Sequence, residues 1–324
     1  MSISVITTTY NCALFINEAV KSILNQTYTN FEYLIIDDGS TDDTDGIVNS
    51  YNDERIRYYK IDHVGRSKAL NYGLSKCRFD WVALIDADDI WHPTKLERQV
   101  KLIENNHDVI FSNALFFKKN SLHFSIECPK TKIDLLETLQ IHGHMVNSSI
   151  IYNKNFIKKF GCYKEELTNS EDYDLLLRII PKSSYKFIDN YLVFCKLRNS
   201  SLSRNSIEKT KQNIRSIQRK NFNTKKKLKN EESSRDYELL FWREYFYGNK
   251  KKSRKILLEN KNLFLKDYRI ALAFIITFLP DSLFEKLLQS RVRLRIQYFF
   301  KKFFRDEKVL NAEKVFNAII KRNV

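Results

Sequence analysis

Apolar residues follow two different spacings in the first third of the chain. Short runs of apolar and β-branched residues, typical of buried strands, lie at residues 3–8, 31–36, 56–61, 81–85 and 109–111. Between these runs, apolar residues recur at helical spacing, for example over residues 13–25 and 66–77. The run at 33–36 is apolar throughout, as expected of a strand that is buried on both faces. The pattern predicts an α/β fold with a mostly parallel central sheet flanked by helices.

Polar and acidic residues directly follow three of the predicted strands. The first strand leads into TTTYN at residues 7–11, the second into DDGS at 37–40 and the fourth into DADD at 86–89. Ligands of parallel sheets bind beyond the carboxyl ends of the strands, so these residues are the candidates for chemistry. The chain contains neither a G-x-G-x-x-G dinucleotide fingerprint nor a G-x-x-x-x-G-K-[ST] phosphate loop.

The spacing of two aspartates favours a metal site. Asp86 and Asp88 are separated by one residue, so on an extended chain their carboxylates point to the same side. Mg²⁺ and Mn²⁺ prefer such oxygen ligands and would offset the repulsion between the charges. The alternative is that the acidic segments only cap helices, and Ser40 or Thr41 is suited to cap the helix that follows residues 37–38. Two acidic segments, each at a strand end, favour the metal site.

Four segments occur in order along this part of the chain: VITTTYN at residues 5–11, LIIDDGSTD at 34–42, GRSKALN at 65–71 and IDADD at 85–89. In combination they resemble the family 2 glycosyltransferases with the GT-A fold. Members of that family are inverting enzymes that transfer a sugar from a nucleotide-diphosphate donor. The resemblance therefore implies a GT-A catalytic domain, which we place at residues 1–204.

The resemblance also implies roles for single residues in nucleotide binding. Thr8 and Tyr10 match the end of the first strand, where the family holds the nucleotide base with the tyrosine ring against it. Asp38 matches the carboxylate that accepts a hydrogen bond from the base, usually uracil. Arg66 lies in the segment from which a basic side chain approaches the nucleotide, and Lys68 is its competitor for this role.

The acidic motif supplies the implied metal ligands. Asp86 matches a position that faces the ribose or the metal, and Asp88 matches the metal ligand that bridges to the diphosphate. The implied cofactor is Mn²⁺ or Mg²⁺.

A second acidic pair stands at the start of a later predicted helix. Glu171 and Asp172 precede apolar residues at helical spacing, which places them in the first helical turn, where negative charge is favoured. An ordinary acidic helix start is the alternative interpretation. In the family the corresponding E-D pair supplies the general base, and we assign this role to Asp172, with Glu171 beside it.

Two further segments carry candidates for the site. Lys196 and Arg198 lie in a stretch similar to one that folds over the donor diphosphate, where their charges suit phosphate. Many family members have a histidine where Arg198 stands, which puts a histidine metal ligand in doubt. His142 and His144 have a spacing that would allow metal binding, but we interpret them as exposed loop residues.

Charge separates the two parts of the chain. Residues 1–200 contain 24 basic and 26 acidic residues, whereas residues 201–324 contain 31 and 13, which gives a net charge of +18. The basic helical region at 205–324 includes the lysine-rich runs 225–229 and 250–255 and an apolar stripe over residues 284–303. We expect contact with an anionic membrane surface. Packing of the stripe within a helical subdomain is the alternative, and nucleic acid is not expected because no recognised binding motif accompanies the charge.

The five cysteines are scattered without a C-x-x-C pair, and the chain lacks an apolar run of the roughly 20 residues that span a bilayer. These features predict a cytoplasmic protein, peripheral on the inner face of the plasma membrane. The predicted activity is metal-dependent transfer of a hexose or N-acetylhexosamine from a UDP-sugar to a glycan acceptor, which we expect to be lipid-linked, in bacterial surface polysaccharide or lipopolysaccharide biosynthesis. A non-catalytic nucleotide-sugar-binding or assembly protein and a nucleic-acid-binding protein are the alternatives. The loops from 112 to 147 contain no motif that identifies the sugar or the acceptor.

Overall fold

The structure, a computed structural model, describes most of the first 197 residues and parts of the remainder. The described residues are 1–103, 107–118, 121–141, 145–197, 213–214, 216–217, 241, 250–261, 274–280 and 307–322. Several predicted features lie outside them, namely His142, His144, Arg198, the basic run 225–229 and the apolar stripe 284–303.

One sheet contains the strands of the described part of the chain. Its order is β3-β2-β1-β4-β8-β6-β9-β5, and β7 pairs with β6. The strands are β1 (Ile3–Thr9), β2 (Phe31–Asp37), β3 (Ile56–Lys60), β4 (Trp81–Leu84), β5 (Ile90–Trp91), β6 (Val109–Lys118), β7 (Ser121–Ile126), β8 (Ile151–Asn153) and β9 (Tyr185–Lys196). Strands β3, β2, β1 and β4 are parallel, β8 is antiparallel to β4 and β6, and β9 is parallel to β6. The α/β architecture with flanking helices is confirmed.

Helices cover both faces of this sheet. The helices of the described residues are α1 (Ala13–Leu24), α2 (Thr44–Asn49), α3 (Arg66–Lys76), α4 (Lys95–Ile103), α5 (Lys132–Ile141), α6 (Lys154–Lys158), α7 (Glu171–Ile179), α8 (Lys250–Glu259) and α9 (Glu307–Arg322). A short 3₁₀ turn at Asn147–Ser149 precedes β8. Alternation along the strands divides the core, because Val5 of β1 packs on the face that holds α1 and Ile6 on the face that holds α3.

The helix after the second strand begins later than the capping interpretation requires. Its first residue is Thr44, and the preceding Asp43 makes no capping bond through its side chain. The prediction that Ser40 or Thr41 caps this helix is therefore wrong. The backbone N–H of Ser40 donates to the Asp37 carboxylate at 2.7 Å instead, so this segment closes a turn at the strand end.

The last described helix, α9, packs on the sheet. Its residues Val309, Ala312 and Phe316 are buried in one apolar cluster with Phe117 of β6 and Phe194 of β9. Lys308 also forms an ion pair with Asp189. The boundary at residues 204 and 205 stays a prediction, but α9 contributes side chains to the same core as the sheet.

Over the ranges that the structure describes, none of the helices combines the length and the apolar character needed to cross a bilayer.

Candidate active site

The predicted site residues follow the carboxyl ends of adjacent parallel strands. Thr9, the last residue of β1, is in register with Asp37, the last residue of β2, and β4 ends on the other side of β1. Two residues near these ends have left-handed backbones without being glycine: Asn11, with φ of 50°, and Ser170 just before α7, with φ of 62°. Such conformations cost energy and concentrate where the chain must present particular groups.

Arg66 joins the strand ends to α7. Its guanidinium donates to the Asp86 carboxylate at 2.5 Å, to the Glu171 carboxylate at 2.7 Å and to the Thr8 hydroxyl at 3.2 Å. Although burial alone would lower the pKa of this guanidinium, the charges of Asp86 and Glu171 raise it well above its usual value. The Arg66 side chain thus brings together three other residues that the sequence placed in the site.

The start of α3 is fixed from two directions so that Arg66 reaches this position. Gly65 has φ of 93°, a conformation that side chains rarely adopt. The Asp38 carboxylate accepts hydrogen bonds from the backbone N–H groups of Val64 and Gly65, at 2.8 and 3.0 Å. On the other side, the Ser67 hydroxyl donates to the carbonyl of Leu167 at 2.6 Å. Asp38, predicted to contact the base, therefore also positions the loop that leads to Arg66.

An aromatic pair stands at the outer edge of the site. The Tyr10 ring is 45% exposed, and the His63 ring stacks on it with a centroid distance of 4.1 Å and an angle of 25° between planes. The His63 Nδ1 atom lies 2.9 Å from the carbonyl oxygen of Asp38. The sequence analysis did not identify His63 as a site residue. Its position shortly after the third predicted strand is the feature that could have indicated it.

The acidic loop after β4 is held by a second set of bonds that the sequence did not reveal. The Ser148 hydroxyl donates to the Asp89 carboxylate at 2.5 Å and accepts from the backbone N–H of Asp86 at 3.0 Å. The other carboxylate oxygen of Asp89 accepts from the backbone N–H of Lys196 at 3.2 Å. Asp89 and Ser148 are both buried, so they link the acidic loop to the 3₁₀ turn and to the end of β9.

The 3₁₀ turn that carries Ser148 is itself anchored by buried polar side chains. The indole N–H of Trp91 donates to the Ser148 carbonyl, and the Gln99 amide donates to the Ser149 carbonyl, both at 2.8 Å. The amine of Lys95 donates to Gln99 and lies 3.7 Å from the Trp91 ring centroid. Burial lowers the pKa of this amine well below its usual value.

The acidic loop has the donor chemistry for a divalent cation. Asp86 and Asp88 are both partly exposed, and burial together with the charges of Asp88 and Asp86 raises the pKa of the Asp89 carboxyl well above its usual value. Neighbouring carboxylates of this kind provide the oxygen ligands that Mg²⁺ and Mn²⁺ prefer. Within the described ranges, no group of three or more His, Cys, Asp or Glu residues is placed to hold a metal. Asp86 and Asp88 are the residues that would hold such an ion.

Asp172 has the surroundings of a proton acceptor. It is partly buried in the first turn of α7, as predicted, and lines a small cavity with apolar residues that include Phe111 and Leu176. Burial and the neighbouring Glu171 charge raise the pKa of Asp172 to about 7, against an opposing effect of Arg66. A carboxylate with a pKa near neutrality is matched to general-base chemistry.

The side chain of Lys196 contacts helix α1. Its amine forms an ion pair with Glu18 of α1 and lies 5.1 Å from the Phe15 ring centroid. Its contact with diphosphate stays a prediction and would require the amine to leave Glu18.

Comparisons with known proteins agree with this geometry. Residues 4–161 match the family model described as Glycosyl transferase family 2. The chain is 29% identical over 213 residues to the Escherichia coli UDP-Glc:alpha-D-GlcNAc-diphosphoundecaprenol beta-1,3-glucosyltransferase WfgD, covering 64% of this chain and 82% of that protein. It also matches five uncharacterized glycosyltransferases of Rickettsia species at 29–31% identity and spans 28–67% of their lengths.

Two solved structures have the same fold. S. aureus TarS 1–349 in complex with UDP-GlcNAc aligns with a TM-score of 0.55 and 17% identity, over 90% of this chain and 93% of that one. The mannosyltransferase PcManGT from Pyrobaculum calidifontis, in complex with GDP-Man and Mn²⁺, aligns with a TM-score of 0.52 and 16% identity, over 98% and 86%. Residues 4–161 therefore match glycosyl transferase family 2, and the fold is the GT-A fold of these solved structures.

Proposed function

We propose that this protein is a glycosyltransferase that moves a hexose or N-acetylhexosamine from a UDP-sugar to a glycan acceptor, with inversion at the anomeric carbon and dependence on a divalent metal. The observation that carries the proposal is the Arg66 cluster. It joins Thr8, Asp86 and Glu171 at the strand ends, beside an Asp172 carboxyl whose pKa is about 7.

The donor would lie across the ends of β1, β2 and β4. Tyr10 offers an exposed ring for stacking with the base, and Asp38 lies next to it with its carboxylate held by the backbone. The choice of UDP is supported by the donors in the names of WfgD and of the TarS complex. Arg66 would approach the nucleotide from the start of α3, where its charge suits phosphate or ribose oxygens.

Asp86 and Asp88 would hold Mn²⁺ or Mg²⁺, which when bound would stabilise the charge of the departing diphosphate. Support comes from the paired carboxylates and from the Mn²⁺ in the PcManGT complex. Ser148 and Asp89 would keep the two ligands in place through the backbone of the acidic loop.

Asp172 would act as the general base. The acceptor hydroxyl oxygen forms a bond to the anomeric carbon while the bond from that carbon to the diphosphate oxygen breaks, and the hydroxyl proton moves to Asp172. UDP leaves with the electron pair of the broken bond. Glu171, paired with Arg66, would hold that guanidinium near Asp86 rather than accept the proton itself.

We further propose a lipid-linked acceptor and a place in bacterial surface polysaccharide or lipopolysaccharide biosynthesis. The acceptor of WfgD, a diphosphoundecaprenol-linked sugar, supports this assignment. The net charge of +18 over residues 201–324 supports work at the anionic inner face of the plasma membrane.

Calorimetric titration of the purified protein with UDP, GDP, CMP and TDP, with and without Mn²⁺, tests the donor site. We expect Mn²⁺-dependent binding of UDP that is lost in Asp88→Asn, followed by transfer from UDP-sugars to lipid-linked acceptors. Folded protein that binds none of these nucleotides would overturn the proposal. Binding of UDP without transfer to any acceptor would favour a non-catalytic role, and salt-sensitive binding of unrelated duplexes in place of UDP would favour a nucleic-acid partner.

A further inference from the structure

Helix α8 and the segment at residues 274–280 form a small basic and apolar surface. The Lys250 amine donates to the carbonyl of Leu279 at 2.6 Å, and the Arg254 guanidinium lies 4.8 Å from the Phe278 ring centroid. Lys250 and Arg254 are one helical turn apart, and Leu258 continues the same stripe of α8. The two segments are therefore in contact along one side of the helix.

Large apolar side chains on this surface are exposed to solvent. Ile275 is 63% exposed, Phe278 is 61% exposed and Leu258 is 56% exposed. Ile256 and Leu257 of the same helix are buried, so α8 already has an apolar side packed against the protein. The exposed residues lie on the two segments that contact each other through Lys250 and Arg254, separate from the buried apolar side of α8.

Exposed cations lie on and next to the helix that carries Leu258. Lys251, Lys252 and Lys255 on α8 are exposed, and Lys261 follows the helix. Glu259 is the acidic residue of α8 and makes a 3.7 Å ion pair with Lys255, so the helix itself carries a net positive charge. We name the three exposed apolar residues and these four lysines the α8 surface.

We propose that the α8 surface docks on an anionic phospholipid bilayer, with Ile275, Phe278 and Leu258 entering the headgroup region. The argument rests on charge complementarity, because lysines around exposed apolar side chains match a surface that is anionic outside and apolar beneath. A second copy of this chain would bring the same lysines face to face and would be repelled. The inference rests on the proposed function, since a lipid-linked acceptor is held at such a bilayer.

Cosedimentation of the full chain with vesicles of phosphatidylcholine, with and without phosphatidylglycerol, tests the proposal. The full chain is required because α9 shares the sheet core. We expect binding only to vesicles that contain phosphatidylglycerol, and at least a tenfold weaker partition for Lys251→Glu/Lys252→Glu and for Ile275→Ser/Phe278→Ser. Added salt should weaken binding of the wild-type protein.

Matched controls separate local from general effects. Lys158→Glu/Lys159→Glu changes the net charge equally at another exposed lysine pair, and Ile133→Ser removes an apolar side chain that is 64% exposed elsewhere. Both should bind vesicles as the wild type does. Equal loss in the charge control, or unchanged binding in both α8-surface variants, would overturn the proposal, as would conversion of a dimer to a monomer by Ile275→Ser/Phe278→Ser.

Titration of the same proteins with UDP keeps the two proposals distinct. The α8-surface variants should bind UDP like the wild type, and this binding also reports that they are folded. Vesicle binding without UDP binding by the wild type would reject the proposed donor site and leave the α8 surface supported. UDP binding without vesicle binding would reject the α8 surface alone.

Discussion

The two sides of helix α7 hold carboxylates in opposite surroundings. Asp174 is buried and fully paired, with Lys164 at 2.7 Å from one oxygen and Arg178 at 2.8 Å from the other. Asp172, two residues earlier, has an acidic neighbour in Glu171 and shares the single guanidinium of Arg66 with other carboxylates. The first arrangement holds a charge permanently, whereas the second leaves a carboxyl that exchanges its proton near neutral pH. The number of nearby cations thus distinguishes the two acids. Asp174, with two, has a structural role, and Asp172, which shares one, is suited to proton transfer.

The largest expected effect is a loss of kcat/KM on substitution of Asp172, on the chemical side of α7. Asp172→Asn removes the proton acceptor but keeps the shape of the side chain, so kcat/KM for sugar transfer should fall by about 100-fold or more. UDP affinity measured by calorimetry should stay the same, because the proposed donor contacts lie on other elements. Turnover close to that of the wild type would reject Asp172 as the base.

Substitution of Asp174 on the structural side of α7 should lower the stability of the protein. Asp174→Asn weakens two charged hydrogen bonds, and we expect the free energy of unfolding to fall by about 2 kcal/mol in denaturant titrations. The kcat/KM of the folded fraction should be unchanged, since the oxygens of Asp174 are paired with Lys164 and Arg178. A large loss of kcat/KM with normal stability would show that the two sides of the helix do not divide their roles in this way.

The pH profile sharpens the contrast. Because Asp172 must be ionised to accept a proton and its pKa is about 7, kcat/KM should fall about tenfold per pH unit below that value. Arg66→Gln removes a charge that lowers this pKa, so the midpoint of the profile should move upward. A profile of Arg66→Gln with the wild-type midpoint would contradict the electrostatic account.

The raised pKa of Asp172 also fixes the sign of a stability change. The folded protein holds this proton more tightly than the unfolded chain, so the stabilising effect of protonation is present at low pH and is lost as the pH rises through about 7. The wild type should therefore lose stability when the pH is raised from 5 to 8, whereas Asp172→Asn should not show this loss. Thermal unfolding of both proteins at the two pH values provides the measurement.

The smallest expected effect concerns the acidic loop. Ser148→Ala removes one buried hydroxyl that bonds to Asp89 and to the backbone of Asp86, which we expect to lower Mn²⁺-dependent UDP affinity about fivefold. Ser149→Ala, which removes a hydroxyl bonded only to the nearby Val146 carbonyl, is the matched control. Equal effects of both substitutions would indicate a general disturbance of the 3₁₀ turn.

Local sequence patterns predicted the parallel part of the fold well. The predicted strands at 31–36 and 56–61 and the helix at 66–77 each differ from the observed bounds by one residue at most at their ends. The position of Glu171 in the first turn of α7 is confirmed as well. These elements carry their own periodicity, and buried parallel strands are apolar without interruption, so neighbouring residues suffice to identify them.

Contacts between distant residues could not be predicted in the same way. The bond from Ser148 to Asp89 joins residues 59 positions apart, and the pairing of Lys196 with Glu18 joins residues 178 positions apart. The two-residue strand β5 is too short to show any periodicity. The roles of these groups depend on which loops the sheet brings together, and that information is not present in local spacing.

The packing of α9 has a consequence for the order of events during synthesis. Strand β9 ends at Lys196, but the helix that covers Phe117 and Phe194 begins at Glu307. While the ribosome makes the segment between them, these apolar side chains remain exposed to water in the nascent chain. Exposed apolar surface is prone to aggregation and is what chaperones recognise. Ile90, the residue directly after the acidic loop, belongs to the same apolar cluster. The packing around this residue is therefore complete only after Phe316 has been synthesised.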